Sequence, residues 1–240
     1  MNDNRKKQID YYWKDKVAIK YKKKFSHLWN IIPKDVKTIL DVGGGIGGFY
    51  YTIPDQTKYK YLLVDVSGEA IMKAKENNIE SLQFDIDNKP LPFADNSFDL
   101  IIACDILEHL NNPWAVLAEM TRVTKKYIII YGPNFAYWKC RLDLLRGNPI
   151  RQMSVDKYGA IVNQDGLHID HIYFITYNNI IYWARKLGLE AIKSQAFWYR
   201  RYFLIQWLIE PFFKNWGEVY RVLFKKINNH NKIEDSNFKF

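Results

Sequence analysis

Residues 38–49, Thr-Ile-Leu-Asp-Val-Gly-Gly-Gly-Ile-Gly-Gly-Phe, constrain this chain more than any other stretch. The apolar run Ile39 to Val42 reads as a short buried strand. It runs directly into glycines, which fill five of the six positions 43–48. Without a Cβ, such a backbone turns sharply and lets a ligand lie against its N–H groups. A plain turn needs fewer glycines. The stretch therefore predicts a strand that ends on a ligand, with a helix after it.

Two ligand classes fit the spacing. Gly43, Gly45 and Gly48 satisfy G-x-G-x-x-G, which suits a dinucleotide. Asp41 with Gly43, Gly45 and Gly47 satisfies acidic-x-G-x-G-x-G, which suits S-adenosylmethionine (SAM). Asp41 tilts the choice, because a carboxylate beside the loop repels a pyrophosphate and attracts the ammonium of a methionine moiety. A nicotinamide oxidoreductase would leave Asp41 without work.

The downstream sequence alternates strands with helices. Strands are predicted at 38–42, 59–66, 81–85, 98–104 and 127–131, and another at 189–197. Helices are predicted at 69–77, 113–123 and 177–187. Pro113 opens the second of these, where its missing N–H costs nothing. Mostly apolar strands separated by helices indicate a parallel sheet covered on both faces. Residues 1–10 look frayed. Residues 9–32 read as helical, with Tyr11, Tyr12, Trp13, Tyr21, Phe25 and Trp29 among basic residues. A packing helix is the plainer expectation there, and a lid over the ligand the sharper one. Residues 134–172 look irregular, as a long functional loop would. From Arg200 to Ile227, Gln206, Glu210, Lys214 and Glu218 recur every four residues among aromatics. That predicts an amphipathic helix bent at Pro211. No repeat or second domain is visible.

In an open parallel sheet, ligands bind outside the carboxyl ends of the strands. Each early strand delivers a carboxylate or glycines to that edge: Gly43–Gly48, Asp65, Asp85 and Asp105. An acid after the second strand can accept from both ribose hydroxyls. One after the third can accept from an adenine amino group, a donor. Any single Asp is also a common cap or turn residue. Their shared edge is the stronger signal.

These residues carry a resemblance. Ile39 to Gly47 resembles the first motif of class I SAM-dependent methyltransferases. Leu91-Pro92-Phe93-Ala94-Asp95-Asn96-Ser97-Phe98-Asp99-Leu100-Ile101, Leu107-Glu108-His109-Leu110 and Glu119-Met120-Thr121-Arg122-Val123 resemble its methyltransferase type 11 branch. Pro133 to Trp138, with Arg141, Leu145 and Gly147, is similar to the MetW-like subgroup. The resemblance covers about residues 36–195. It implies a Rossmann-like α/β fold with a mostly parallel seven-stranded sheet, helices on both faces, an N-terminal helical segment (1–33) and C-terminal aromatic helices (200–240). It implies SAM as cofactor and S-adenosylhomocysteine (SAH) as product. Asp41, Gly43, Gly45 and Gly47 would hold the methionine part, Asp65 and Val66 the ribose, and Asp85 with Ile86 the adenine. Asp105 would lie near the methyl group.

Methylating a hydroxyl also requires removing its proton, best done by a base with a pKa near neutrality. His109, just past the fourth strand, is the first candidate. His168 and His171, beside Asp170, are the next. No metal is expected, since Cys104 and Cys140 fall in neither metal-ligand nor disulfide spacing, and the chain reads as intracellular and reduced. After the fourth strand stands Cys104-Asp105-Ile106-Leu107, not the Asp/Asn-Pro-Pro-aromatic tetrad of enzymes that methylate base or amide nitrogens. No Pro-Cys pair offers the nucleophile of C5-pyrimidine methylation.

Oxygen methylation of a small-molecule or glycan acceptor is therefore expected. The alternatives are a non-catalytic MetW-like regulatory partner and an RNA methyltransferase, although nucleic acid is not the expected partner. Net charge divides as +6 over residues 1–25, −3 over 26–179 and +6 over 180–240. Basic ends suit anionic headgroups or phosphorylated substrates. With an aromatic tail over 200–227, they predict a cytoplasmic protein that rests on the inner membrane face, or a homodimer through the same helix. No signal peptide or membrane span is read from the sequence.

Overall fold

The computed structural model describes residues 3–148, 150, 171–197 and 214–227. Seven strands form one sheet: β1 (Thr38–Val42), β2 (Lys60–Asp65), β3 (Ser81–Gln83), β4 (Phe98–Cys104), β5 (Thr124–Pro133), β6 (Leu189–Phe197) and β7 (Val219–Lys226). Their order is β3-β2-β1-β4-β5-β7-β6. The first five pair in parallel, and β7 runs antiparallel between β5 and β6. The direction of winding reverses between β1 and β4, where a doubly wound sheet opens a crevice.

Period-two alternation gives each strand two apolar faces. Leu40, Val42, Ile101, Ala103, Ile128 and Ile130 pack with residues of α4 (Pro113–Val123) and α6 (Tyr177–Lys186). Ile39, Leu63, Leu100, Ile102 and Ile129 pack with residues of α2 (Lys22–Trp29) and α3 (Gly68–Glu76) on the other face. The helices start where local chemistry demands. Ser67 caps α3 by accepting from the Ala70 N–H, and Asn112 caps α4 ahead of Pro113. Thr176 and Asn179 form a capping box on α6.

Four expectations are corrected. The glycine stretch leads into no α-helix, only a 3-10 turn at Tyr50–Thr52. Ile53 is extended because it precedes Pro54, which disfavours the helical region. The N-terminal segment is ordered from α1 (Asp3–Trp13) onward and is not one helix to residue 32. The Lys73 ammonium takes the carbonyls of Trp13 (2.9 Å), Lys14 and Lys16 (3.3 Å), ending α1. Val17 is extended, and a 3-10 turn, Ala18–Tyr21, restarts the chain into α2.

Residues 134–148 contain a helix, α5 (Trp138–Leu145). Residues 219–226 are the strand β7, not part of an amphipathic helix. Val222 and Phe224 are buried on one face and Leu223 on the other, as a strand paired on both edges requires. Arg221 on β7 donates to the His27 carbonyl and the Gln195 amide oxygen. Residues 200–213 lie outside the described residues. Among those described, no helix is long and apolar enough to cross a membrane.

The amino-terminal edge of the sheet is held by matched charge. Asp99 accepts from the N–H groups of Lys37 (3.0 Å) and Thr38 (3.2 Å) and pairs with Lys126 at 3.5 Å. Arg122 clamps Glu119, Asp95 and the Leu91 carbonyl. These contacts fix the 91–99 loop against the end of α4.

Candidate functional site

At the opposite edge, a cavity of about 700 Å³ opens outside the carboxyl ends of β1, β2 and β4. That volume suits a small-molecule or cofactor site, typically about 300–1,000 Å³. Of the site residues predicted from sequence, Asp41, Gly43, Asp65, Val66, Asp85, Ile86, Asp105, His109 and His171 all line it. Gly45 and Gly47 belong to the same loop without facing the cavity. His168 and Asp170 lie outside the described residues.

The loop after β1 needs its glycines. Gly43 and Gly45 have φ of +67° and +54°, a left-handed region that L side chains rarely adopt. A Cβ on Gly43 would stand 2.6 Å from Ile106, and one on Gly45 would stand 2.4 Å from the Trp13 ring. The loop is thus pressed between the β4 side and α1.

The acids differ in how they are held. Asp41 is buried under the loop and accepts from the Tyr61 hydroxyl. Burial pushes its carboxyl up to about 7, against the pull of the Tyr61 hydrogen bond and with help from the nearby Asp65 charge. Asp65 accepts from Gly45 N–H and Ser67 N–H, each at 2.9 Å, and burial still raises its pKa. Each of its oxygens retains a lone pair for a ligand hydroxyl. Asp85 is the exception. Burial alone would raise it, but the Asn88 amide and the Asp87 N–H hold it below its ordinary value.

Asp105 has φ +50°, an uncommon conformation that aims the residue after β4 back toward the cavity. Its carboxylate pairs with Lys24 of α2 at 2.6 Å. Arg5 of α1 donates to the His109 carbonyl. Asp10 of α1 accepts from the Ser67 hydroxyl at 2.5 Å and from Glu69 N–H at 3.2 Å, docking α1 on the start of α3. The N-terminal segment thus brings cations and the rings of Tyr12, Trp13 and Tyr21 to an acidic rim.

Past Asp105, the 3-10 turn Leu107–His109 carries Glu108 into the interior at 2% exposure. Burial, then the neighbouring Asp105 charge, pushes Glu108 up to about 8. Its Oε1 lies 3.9 Å from His171 Nε2 and accepts no hydrogen bond. The rings of His109 and His171 lie 4.9 Å apart, centroid to centroid.

Sequence reasoning assigned no role to Glu108, although it stood inside a quoted motif. It also missed Arg5, Lys24 and Glu218, which line the cavity. The alternation of basic and aromatic residues over 9–32 was the available signal for Lys24. Nothing marked Arg5.

The donor set fits a sulfonium nucleoside: bare backbone on one side, carboxylates on the other, and buried acids that lack a full complement of positive charge. The fold is that of SAM-dependent methyltransferases. The structure of such a protein from Archaeoglobus fulgidus superposes with a TM-score of 0.61 at 16% identity, covering 88% of this chain and 95% of that one. The family model described as "Methionine biosynthesis protein MetW" matches residues 22–158, and the chain belongs to that family.

Among relatives, a protein of Mycolicibacterium gilvum described as an uncharacterized methyltransferase is 34% identical over 162 residues, 64% of this chain and 63% of its own length. A bifunctional methionine biosynthesis protein MetXA/MetW of Rhodopirellula baltica is 30% identical over 119 residues, 46% of this chain and 19% of its own. The chain thus spans less than two thirds of either relative.

Proposed function

We propose that this chain is a SAM-dependent methyltransferase acting on an oxygen of a small-molecule or glycan acceptor. The observation that carries the reading is the convergence of Asp41, Asp65, Asp85 and Asp105 with the glycine loop on one cavity. The chemistry SAM supplies when bound is an electrophilic methyl group on a positively charged sulfur.

The chain's residues bind and orient. The backbone around Gly43–Gly48 and the Asp41 carboxylate hold the methionine part. Asp65, with Val66, accepts from the ribose hydroxyls, and Asp85 with Ile86 holds the adenine. Asp105 offers negative charge where the sulfonium charge is carried, and Lys24 gives way to it. The N-terminal segment serves as a lid that excludes water. An acceptor hydroxyl sheds a proton as it is methylated, and the ring nitrogens of His109 and His171 are the basic atoms at that end of the cavity. The basic ends favour an acceptor carried on an anionic or lipid-linked scaffold at a membrane face, and liposome flotation of the full chain tests that part.

Calorimetry with SAM and SAH tests the core reading. One equivalent of either per folded chain is expected, followed by SAH release in the presence of glycolipid or small-molecule acceptor pools. No uptake of either nucleoside by folded protein overturns the reading. Uptake without turnover in any pool favours a regulatory partner over an enzyme.

A further inference from the structure

Glu108, His109 and His171 each offer one ligand atom, and these atoms lie within 4.8 Å of one another. We propose that the three bind a divalent first-row transition ion, of the Mn²⁺, Fe²⁺ or Zn²⁺ class, at the acceptor end of the cavity.

Four observations support this. The donor set is two imidazoles and one carboxylate. Mg²⁺ and Ca²⁺ prefer oxygen ligands, whereas imidazole suits the transition ions. Three protein ligands with positions left open is the pattern of a catalytic rather than a structural site, and all three residues line the cavity.

The Glu108 carboxylate is nearly inaccessible, and its Oε1 accepts no hydrogen bond. His171 Nε2 is 3.9 Å from it, beyond hydrogen-bond reach. A buried charge ordinarily has a partner, and a cation between these atoms supplies one.

The scaffold holds the three together independently of any ion. Glu108 and His109 are adjacent on one 3-10 turn. The Glu108 carbonyl accepts from Ile172 N–H at 2.7 Å and Tyr173 N–H at 3.3 Å. The Tyr173 hydroxyl donates to the Asn111 carbonyl at 2.9 Å. His171 is therefore stitched to the turn that carries the other two ligands.

The remaining adjustment is small. Atoms bound to one ion at about 2.1 Å in tetrahedral or facial positions stand roughly 3.0–3.4 Å apart, so atoms that lie within 4.8 Å of one another close in by about 1 Å. The role of the ion rests on the methyl-transfer reading. It draws electron density from an acceptor hydroxyl oxygen and eases loss of that proton to water. It also makes His109 and His171 ligands rather than proton acceptors, and selects acceptors that present oxygen.

The test uses the tag-free full chain, stripped with chelator and dialysed. Zn²⁺ is titrated by calorimetry and Mn²⁺ by electron paramagnetic resonance, with Mg²⁺ as contrast. One transition ion per chain is expected, with Mg²⁺ much weaker. Glu108→Gln and His171→Asn are each expected to weaken the ion by at least about tenfold, since even residues behind the ligands cost that much. SAH affinity in parallel reports that the fold is intact. No uptake by folded protein, or uptake indifferent to both variants, overturns the site. If Glu108→Gln fails to fold, His171→Asn decides alone. Ion binding without SAH binding upholds the site and removes only its role in methyl transfer.

Discussion

The two ends of this sheet treat the same residue type in opposite ways. Asp99 on β4 and Asp41 on neighbouring β1 are both buried, at 8% and 2% exposure. At the amino end, burial alone would raise Asp99, but the N–H groups of Lys37 and Thr38 and the Lys126 ammonium hold it below the usual carboxylate range. At the carboxyl end, burial wins at Asp41, Asp65 and Glu108. The fold matches its charges where it needs only to hold together. It leaves acids short of cations where a ligand can bring the missing charge, and perturbed acids gathered in a cleft are the usual mark of such a place.

The contrast breaks most visibly in the pH dependence of stability. Folded Asp41 keeps its proton up to about pH 7, while the unfolded chain loses it near 3.8. The folded state therefore binds more protons in that window, and stability falls as pH rises through it. Asp41→Asn removes this loss, so urea denaturation at pH 8 should find the variant more stable by up to roughly 4 kcal/mol, converting the shift at about 1.4 kcal/mol per unit. The Asp99 contribution has the other sign: it is present above the unfolded value and fades as pH falls through the lowered folded one.

Next in size is Asp65→Ala. It should weaken SAH by about a hundredfold, or ~2.7 kcal/mol, measured by calorimetry, because it strips a ribose acceptor and leaves the Gly45 N–H without its partner. Asp99→Ala should cost about 1–3 kcal/mol of unfolding free energy, since it orphans two backbone donors, and leave SAH affinity of the folded protein unchanged. An effect on binding there would erase the distinction between the two ends. The smallest effect belongs to Lys24→Met. Its pair with Asp105 is partly exposed, so stability should change by less than about 1 kcal/mol. The ratio of SAM to SAH affinity should rise a few-fold, because a competitor for the sulfonium charge has gone.

Much of this was legible in the sequence for a physical reason: the central strands are buried on both faces. The apolar run at 98–104 and the Pro113-led helix at 113–123 correspond to β4 and α4. The acids at the carboxyl ends were legible because strand ends fix their place without any knowledge of packing. What escaped depended on tertiary partners. The four-residue recurrence over 206–218 invited a helix that does not extend over Val219–Lys226, because pairing with β5 and β6 decides the conformation there. The end of α1 is set by Lys73, some sixty residues away. Nothing local to Trp13 announces it. Glu108 looked like one more polar residue in a turn, and only its burial with Oε1 unpartnered sets it apart.

The place of β7 carries a consequence for the order of assembly. It is the latest described strand in the chain, yet it fills an interior slot, and among the described strands β6 is hydrogen-bonded to it alone. A ribosome that has released residues 189–197 has released a strand with no berth. Until residues 219–226 emerge, β5 also shows a bare edge to solvent or to any neighbouring nascent chain, the kind of surface that invites mispairing. Two of the seven described strands join the sheet in a single late event, and whatever guards the chain during synthesis must guard it until then.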